Sequence, residues 1–94
     1  MIRGFAHKQA AAIFANRVVR GFPPDVLQAA RRKLAILDAA ETLADLRAPP
    51  GNRLEALAGD RAGQYSIRIN DRWRLCFEWR DDGPHAVEIT DYHD

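Results

Sequence analysis

Ninety-four residues, 47% of them apolar and 29% charged, suit one small globular domain over residues 1–94 and exclude a disordered chain as the main content. No apolar run nears the ~18 residues of a membrane span, and the start Met1-Ile2-Arg3-Gly4-Phe5-Ala6-His7-Lys8 lacks the apolar stretch of a secretory leader, so a cytoplasmic protein with no membrane partner is expected. The net charge of +1 hides an asymmetry: residues 1–52 carry eight Lys or Arg against four acids, and residues 53–94 carry six against nine, so the first half can meet nucleic acid or an acidic protein.

Taken in chain order, residues 2–5 read as a short first strand. Ala10, Ile13, Phe14 and Val18 then recur at helical spacing until Gly21 supplies a stop, which predicts a first helix. Pro23-Pro24-Asp25 suits a second helix start, because proline in the first turn loses no hydrogen bond and an acid there complements the helix dipole. Leu27, Ala30, Leu34 and Leu37 form its apolar stripe and leave Arg31, Arg32, Lys33 and Asp38 to solvent. The two helices therefore form a hairpin. Ala48-Pro49-Pro50-Gly51-Asn52 cannot continue a helix and marks a loop.

Beyond Leu54 the pattern changes to short β-branched and aromatic segments at 64–69, 73–79 and 86–90, separated by turns at 59–63, 70–72 and 81–84. Tyr65, Ile67 and Ile69 alternate with Ser66 and Arg68, Trp73, Leu75, Phe77 and Trp79 alternate with Arg74, Cys76 and Glu78, and Val87 and Ile89 join the apolar side. Cys76, the one cysteine, excludes an intrachain disulfide and a multi-thiolate metal site, and between Leu75 and Phe77 it reads as an inert strand residue. The fold class is α+β: an N-terminal helical hairpin packed on one face of a small, mainly antiparallel sheet.

Polarity fixes the register of the central hairpin. A loop of Asn70-Asp71-Arg72 sets Ile69 against Trp73, Arg68 against Arg74, Ile67 against Leu75 and Tyr65 against Phe77, whereas a two-residue loop would mix faces along the whole hairpin. Two guanidinium groups then stand opposite each other, an arrangement suited to an anion or balanced by acids such as Glu78 and Asp91. An arginine pair can grip a phosphate through forked hydrogen bonds and stabilise charge that builds on it. The turn Gly59-Asp60-Arg61-Ala62-Gly63 brings Arg61 to the end of the same sheet, either toward that anion or toward Asp60. Asp91, Tyr92 and His93 add a carboxylate, a phenol and an imidazole that can move protons, although in an extended strand Tyr92 faces away from the other two.

The stretch from Leu57 through Gly59-Asp60-Arg61-Ala62-Gly63 to Asn70, then Trp73-Arg74-Leu75, the closing Asp91-Tyr92-His93 and the opening Phe5-Ala6-His7-Lys8 resemble the HigB group of the RelE/ParE toxin superfamily. The resemblance implies a RelE-like fold and a metal-independent, ribosome-dependent endoribonuclease that cuts messenger RNA and inhibits growth. It assigns Arg61, Arg68 and Arg74 to phosphate contact, Arg68 and Arg74 also to catalysis, and Asp91, Tyr92 and His93 to proton transfer, with no cofactor. It further implies a HigA-like helix-turn-helix antitoxin that carries the complex to its operator DNA. The same fold without RNA chemistry would suit a ParE-like gyrase inhibitor, and relatives often hold lysine where Ala58 stands here, which leaves open a member that only binds its antitoxin.

Overall fold

A computed structural model of the chain, which describes residues 1–91, places two helices on one side of a four-stranded antiparallel sheet. The elements run α1 (Lys8–Phe14), α2 (Pro24–Ala39), β1 (Glu55–Ala56), β2 (Gln64–Arg68), β3 (Trp73–Arg80) and β4 (Gly83–Asp91). Single 3-10 turns occupy Leu43–Leu46, Pro50–Asn52 and Gly59–Arg61. The strands lie in chain order, β1-β2-β3-β4, and the residues before α1 add a parallel bridge, Phe5 to Val87, at the far edge. Ile13, Leu27, Leu34 and Leu37 from the helices meet Ile67, Leu75, Phe77 and Val87 from the sheet in one core. Among the described residues no helix is long and apolar enough to cross a membrane.

The second helix matches its sequence pattern, with Pro24 in the first turn and Asp25 beside the positive end of the dipole. The first is shorter than its pattern. It ends at Phe14, because Asn16 enters the left-handed region at φ 64, the Asn16 N–H returns to the Ile13 carbonyl and the Arg17 N–H to the Ala12 carbonyl. That double return is a Schellman ending, which asparagine supports as the commonest substitute for glycine. Val18, expected on the buried stripe, is 86% exposed. The polar side of α2 also departs from expectation: Asp38 Oδ1 accepts from the Ile2 N–H at 2.8 Å, Arg31 donates to the Arg17 carbonyl at 2.9 Å and Lys33 donates to Asn52 at 2.6 Å. These side chains tie the segments flanking α2 to it.

The β2–β3 register is the one that polarity selects: Arg68 opposes Arg74, Ile67 opposes Leu75 and Tyr65 opposes Phe77. Asn70 closes the loop, its Oδ1 accepting from the Arg72 and Trp73 N–H groups at 2.9 and 2.8 Å. Between β3 and β4 the register slips between Cys76 and Glu78, where Ala86 adopts φ 51. At this bulge Val87 turns its backbone outward, donating to Gly4 at 3.1 Å and accepting from Ala6 at 2.9 Å. The bulge therefore anchors the N-terminal segment and sets His7 beside β4.

Gly83 starts β4 at φ +123, and a Cβ there would lie 2.8 Å from the Met1 carbonyl oxygen. Both the backbone conformation and the space demand glycine. Gly83→Ala is expected to destabilise the fold by ~2 kcal/mol, which for a chain of this length lowers the midpoint by roughly 10 °C in a thermal melt followed by circular dichroism. An unchanged midpoint would show that the N-terminal segment does not pack on β4.

Candidate active site

The helices cover one sheet face, so alternate residues of the strands line the other: Ser66 and Arg68 on β2, Arg74 and Cys76 on β3, Glu88 and Thr90 on β4. The register sets them in two rows, Ser66–Cys76–Glu88 and Arg68–Arg74–Thr90. Ser66 and Cys76 are fully buried, and Arg74 is only 9% exposed.

Two short hydrogen bonds hold Arg74. Its Nε donates to Ser66 Oγ at 2.7 Å and its Nη2 to the Arg53 carbonyl at 2.7 Å, while Glu55 approaches to 4.0 Å. Arg68, across the ladder, reaches Asp71 at the solvent-exposed loop. Lys33 of α2 lies close enough to feel Arg68. Its pKa is lowered first by partial burial and then by repulsion from Arg32 and Arg68. For Lys33 and Arg68 the acid partners among the described residues amount to Asp71 alone.

Arg61 reaches across from its 3-10 turn. Its Nη1 donates to Gln64 Oε1 at 2.9 Å and it ion-pairs with Glu88, rather than with Asp60. Glu88 also takes His7 Nε2 at 3.0 Å and accepts from Thr90 Oγ1 at 3.2 Å, with its side chain 12% exposed. Asp91 accepts from Arg72 Nε at 2.9 Å, and this hydrogen bond raises the Arg72 pKa further above its usual value. Glu78 pairs with Arg80 at 2.9 Å. The structure therefore brings Arg61, Arg68 and Arg74 onto one face but sets Asp91 opposite Trp73, in the row of the helix-covered face, while Tyr92 and His93 lie outside the described residues.

Glu88, His7 and Lys33 were not among the residues singled out from the sequence. Glu88 was legible in principle, since placing Val87 and Ile89 inward leaves Glu88 facing the arginines. His7 was not, because its approach depends on the parallel edge pairing. Among the described residues no cluster of three metal-ligating side chains occurs.

Two helices on one side of a small antiparallel sheet, with arginines from three elements on the other, is the arrangement of the RelE-like toxins. The chain belongs to the HigB-like family within that class, whose model, described as the RelE-like toxin of type II toxin-antitoxin system HigB, matches residues 3–93. It is similar to Toxin HigB-1 of Vibrio cholerae serotype O1, 52% identical over 75 residues that make up 80% of this chain and 75% of that one. It is also similar to Endoribonuclease HigB of Proteus vulgaris, 29% identical over 93 residues, 99% of this chain and all of that one. An uncharacterized protein of Haemophilus influenzae is 37% identical over 74 residues, 71% of this chain and 73% of its own. As a toxin of a type II system the chain has an antitoxin as its partner.

Proposed function

We propose that the chain is an endoribonuclease that cuts messenger RNA on the ribosome, and that a HigA-like helix-turn-helix antitoxin silences it and carries the complex to operator DNA. The observation that carries the reading is the Arg68–Arg74 cross-strand pair, two cations opposed on the face of the sheet that the helices leave open. A pair of like charges at this position is unfavourable in the free protein and becomes favourable when a phosphodiester lies between them. The Proteus relative's name speaks for RNA cleavage over gyrase inhibition.

In the chemistry this arrangement supports, the 2′-hydroxyl of one nucleotide attacks its own 3′-phosphate. The bond from phosphorus to the 5′-oxygen breaks, leaving a 2′,3′-cyclic phosphate and a 5′-hydroxyl. One proton leaves the attacking oxygen and one reaches the departing oxygen, so atoms and charge balance. Arg68 and Arg74 would hold the phosphate and offset the charge gathered on it, with Arg61 as a further phosphate contact. Asp91, Tyr92 and His93 would exchange the two protons. No step calls on a metal or cofactor.

Translating ribosomes given a labelled message and the purified chain should show new ends by primer extension. Arg68→Ala should reduce cleavage by about 10²-fold or more, the scale of a lost charge-stabilising donor. An intact message in the presence of folded wild-type protein would overturn the proposal.

A further inference from the structure

We infer that His7 is a positioning residue for Arg61: it takes over the Glu88 carboxylate when Arg61 leaves it for an RNA phosphate. The inference rests on the phosphate contact proposed above for Arg61 and adds how that side chain is released.

Arg61 is tied down on both sides of the open sheet face, to Gln64 Oε1 of β2 at 2.9 Å and to Glu88 of β4. A guanidinium held in this way reaches a phosphate by giving up its carboxylate. The Glu88 side chain is 12% exposed, and a carboxylate with so little water around it is costly to leave without a cation. Thr90 Oγ1 donates to its Oε1 at 3.2 Å but carries no charge. Among the described residues the other group able to bring a positive charge there is His7, whose Nε2 lies 3.0 Å from Oε2. Arg61 and His7 approach different oxygens, so His7 keeps its contact while Arg61 departs.

The chain places the imidazole there through its edge pairing. Ala6 donates to the Val87 carbonyl at 2.9 Å and Val87 to the Gly4 carbonyl at 3.1 Å, so the residue after Ala6 comes up beside the residue after Val87. His7 is also the N-cap of α1, a position where Ser, Thr, Asp or Asn normally bonds the first turn. Its side chain makes no capping bond and meets Glu88 instead. Helix stability alone does not ask for histidine at this position. Glu88 of β4 faces the ring directly, Arg61 of the 3-10 turn lies across the same carboxylate, and Lys8 follows His7 in α1. An imidazole can take up a charge near neutral pH, which an amide or a hydroxyl cannot. Capture of a phosphate by Arg61 therefore draws one proton from solvent onto His7, and the carboxylate exchanges one cation for another.

The test measures binding of a 2′-O-methyl message fragment to the full chain by fluorescence anisotropy from about pH 6 to about pH 8, beside the Arg61 Nε–H resonance of the labelled chain without RNA. Wild type should bind about tenfold more tightly at the acid end, and its Arg61 resonance should shift over the same range. His7→Gln should bind at the weaker level at both ends, and His7→Lys, which keeps its cation throughout, at the tighter level at both. In a Glu88→Gln background, where no carboxylate charge holds Arg61, His7→Gln should change affinity by less than about twofold. An equal loss in that background would make His7 an RNA contact in its own right. A His7→Gln chain that melts early yet keeps the wild-type pH profile would make it structural; either result overturns the inference. RNA binding that ignores pH, with the Arg61 resonance unmoved, overturns the exchange and leaves the nuclease reading standing. An Arg61 resonance that follows His7 in a chain that binds no RNA supports the exchange and removes the nuclease reading instead.

Discussion

Arg74→Ala is expected to lose RNA cleavage and about 3 kcal/mol of folding stability together, whereas Arg68→Ala is expected to lose cleavage alone. The two arginines face each other across one rung of the ladder but sit in different surroundings. Arg74 is buried, and its guanidinium satisfies Ser66 Oγ and the Arg53 carbonyl. Removing it strands both acceptors, at roughly 1–3 kcal/mol each. For a domain of this size the melting midpoint should fall by roughly 15 °C. Arg68 has its side chain 34% exposed and pairs with a carboxylate that is 98% exposed, a contact worth at most about 1 kcal/mol. Against that small gain stand the repulsions from Arg74 and Lys33, so Arg68→Ala should melt within about 0.5 kcal/mol of wild type, or slightly later. Thermal melts beside primer-extension assays separate the two. If Arg68→Ala melted as early as Arg74→Ala, the exposed pair would be structural and its catalytic assignment would lose its support.

What the sequence made legible follows from which interactions are local. Binary alternation places Ile67, Leu75 and Val87 on the core side, and matching polarity across the Asn70-Asp71-Arg72 loop fixes the Arg68–Arg74 pairing, because a one-residue slip would expose every apolar strand residue. The second helix carries both its start signal and its stripe within sixteen residues. The end of α1 was misread because Phe14 and Val18 keep helical spacing across Asn16, whose left-handed turn is a property of one residue and not of the periodicity. The same distinction explains Lys33 and Asp38. Helical position turns them outward, and only the return of Asn52 and Ile2 over α2 gives them partners.

The site was half legible for a related reason. Three arginines on one sheet face follow from strand alternation and a turn, and the structure places Arg61, Arg68 and Arg74 there. Their individual partners do not follow. Glu78 and Asp91, the acids nearest in pattern, take Arg80 and Arg72, while the acid on Arg61 is Glu88, which belongs to a strand reached only after the bulge at Ala86. A bulge shifts the register by one residue and leaves little mark in alternation, so alternation puts Glu88 on the arginine face without naming its partner, and the arrival of His7 depends on pairing between segments about 80 residues apart.

Glu88→Gln should destabilise the fold and tighten RNA binding, opposite signs from one atom-sized change. The Glu88 carboxylate, 12% exposed, faces Arg61, and His7 approaches its second oxygen at 3.0 Å. Glutamine keeps the shape and one acceptor but cannot balance the charge, so a largely desolvated ion pair is broken at a cost of about 2 kcal/mol. The Arg61 guanidinium, on the phosphate-binding face, then loses the carboxylate charge of Glu88, and the formal net charge rises by one from +1. Each further phosphate contact to single-stranded RNA should steepen the dependence of log affinity on log salt by about 0.7. Urea unfolding and the binding of a 2′-O-methyl message, which cannot be cleaved, measure the two effects over a salt series. Weaker binding in the variant would mean that Glu88 aims Arg61 at the phosphate instead of masking it, and that Arg61 contributes through its orientation more than through its charge.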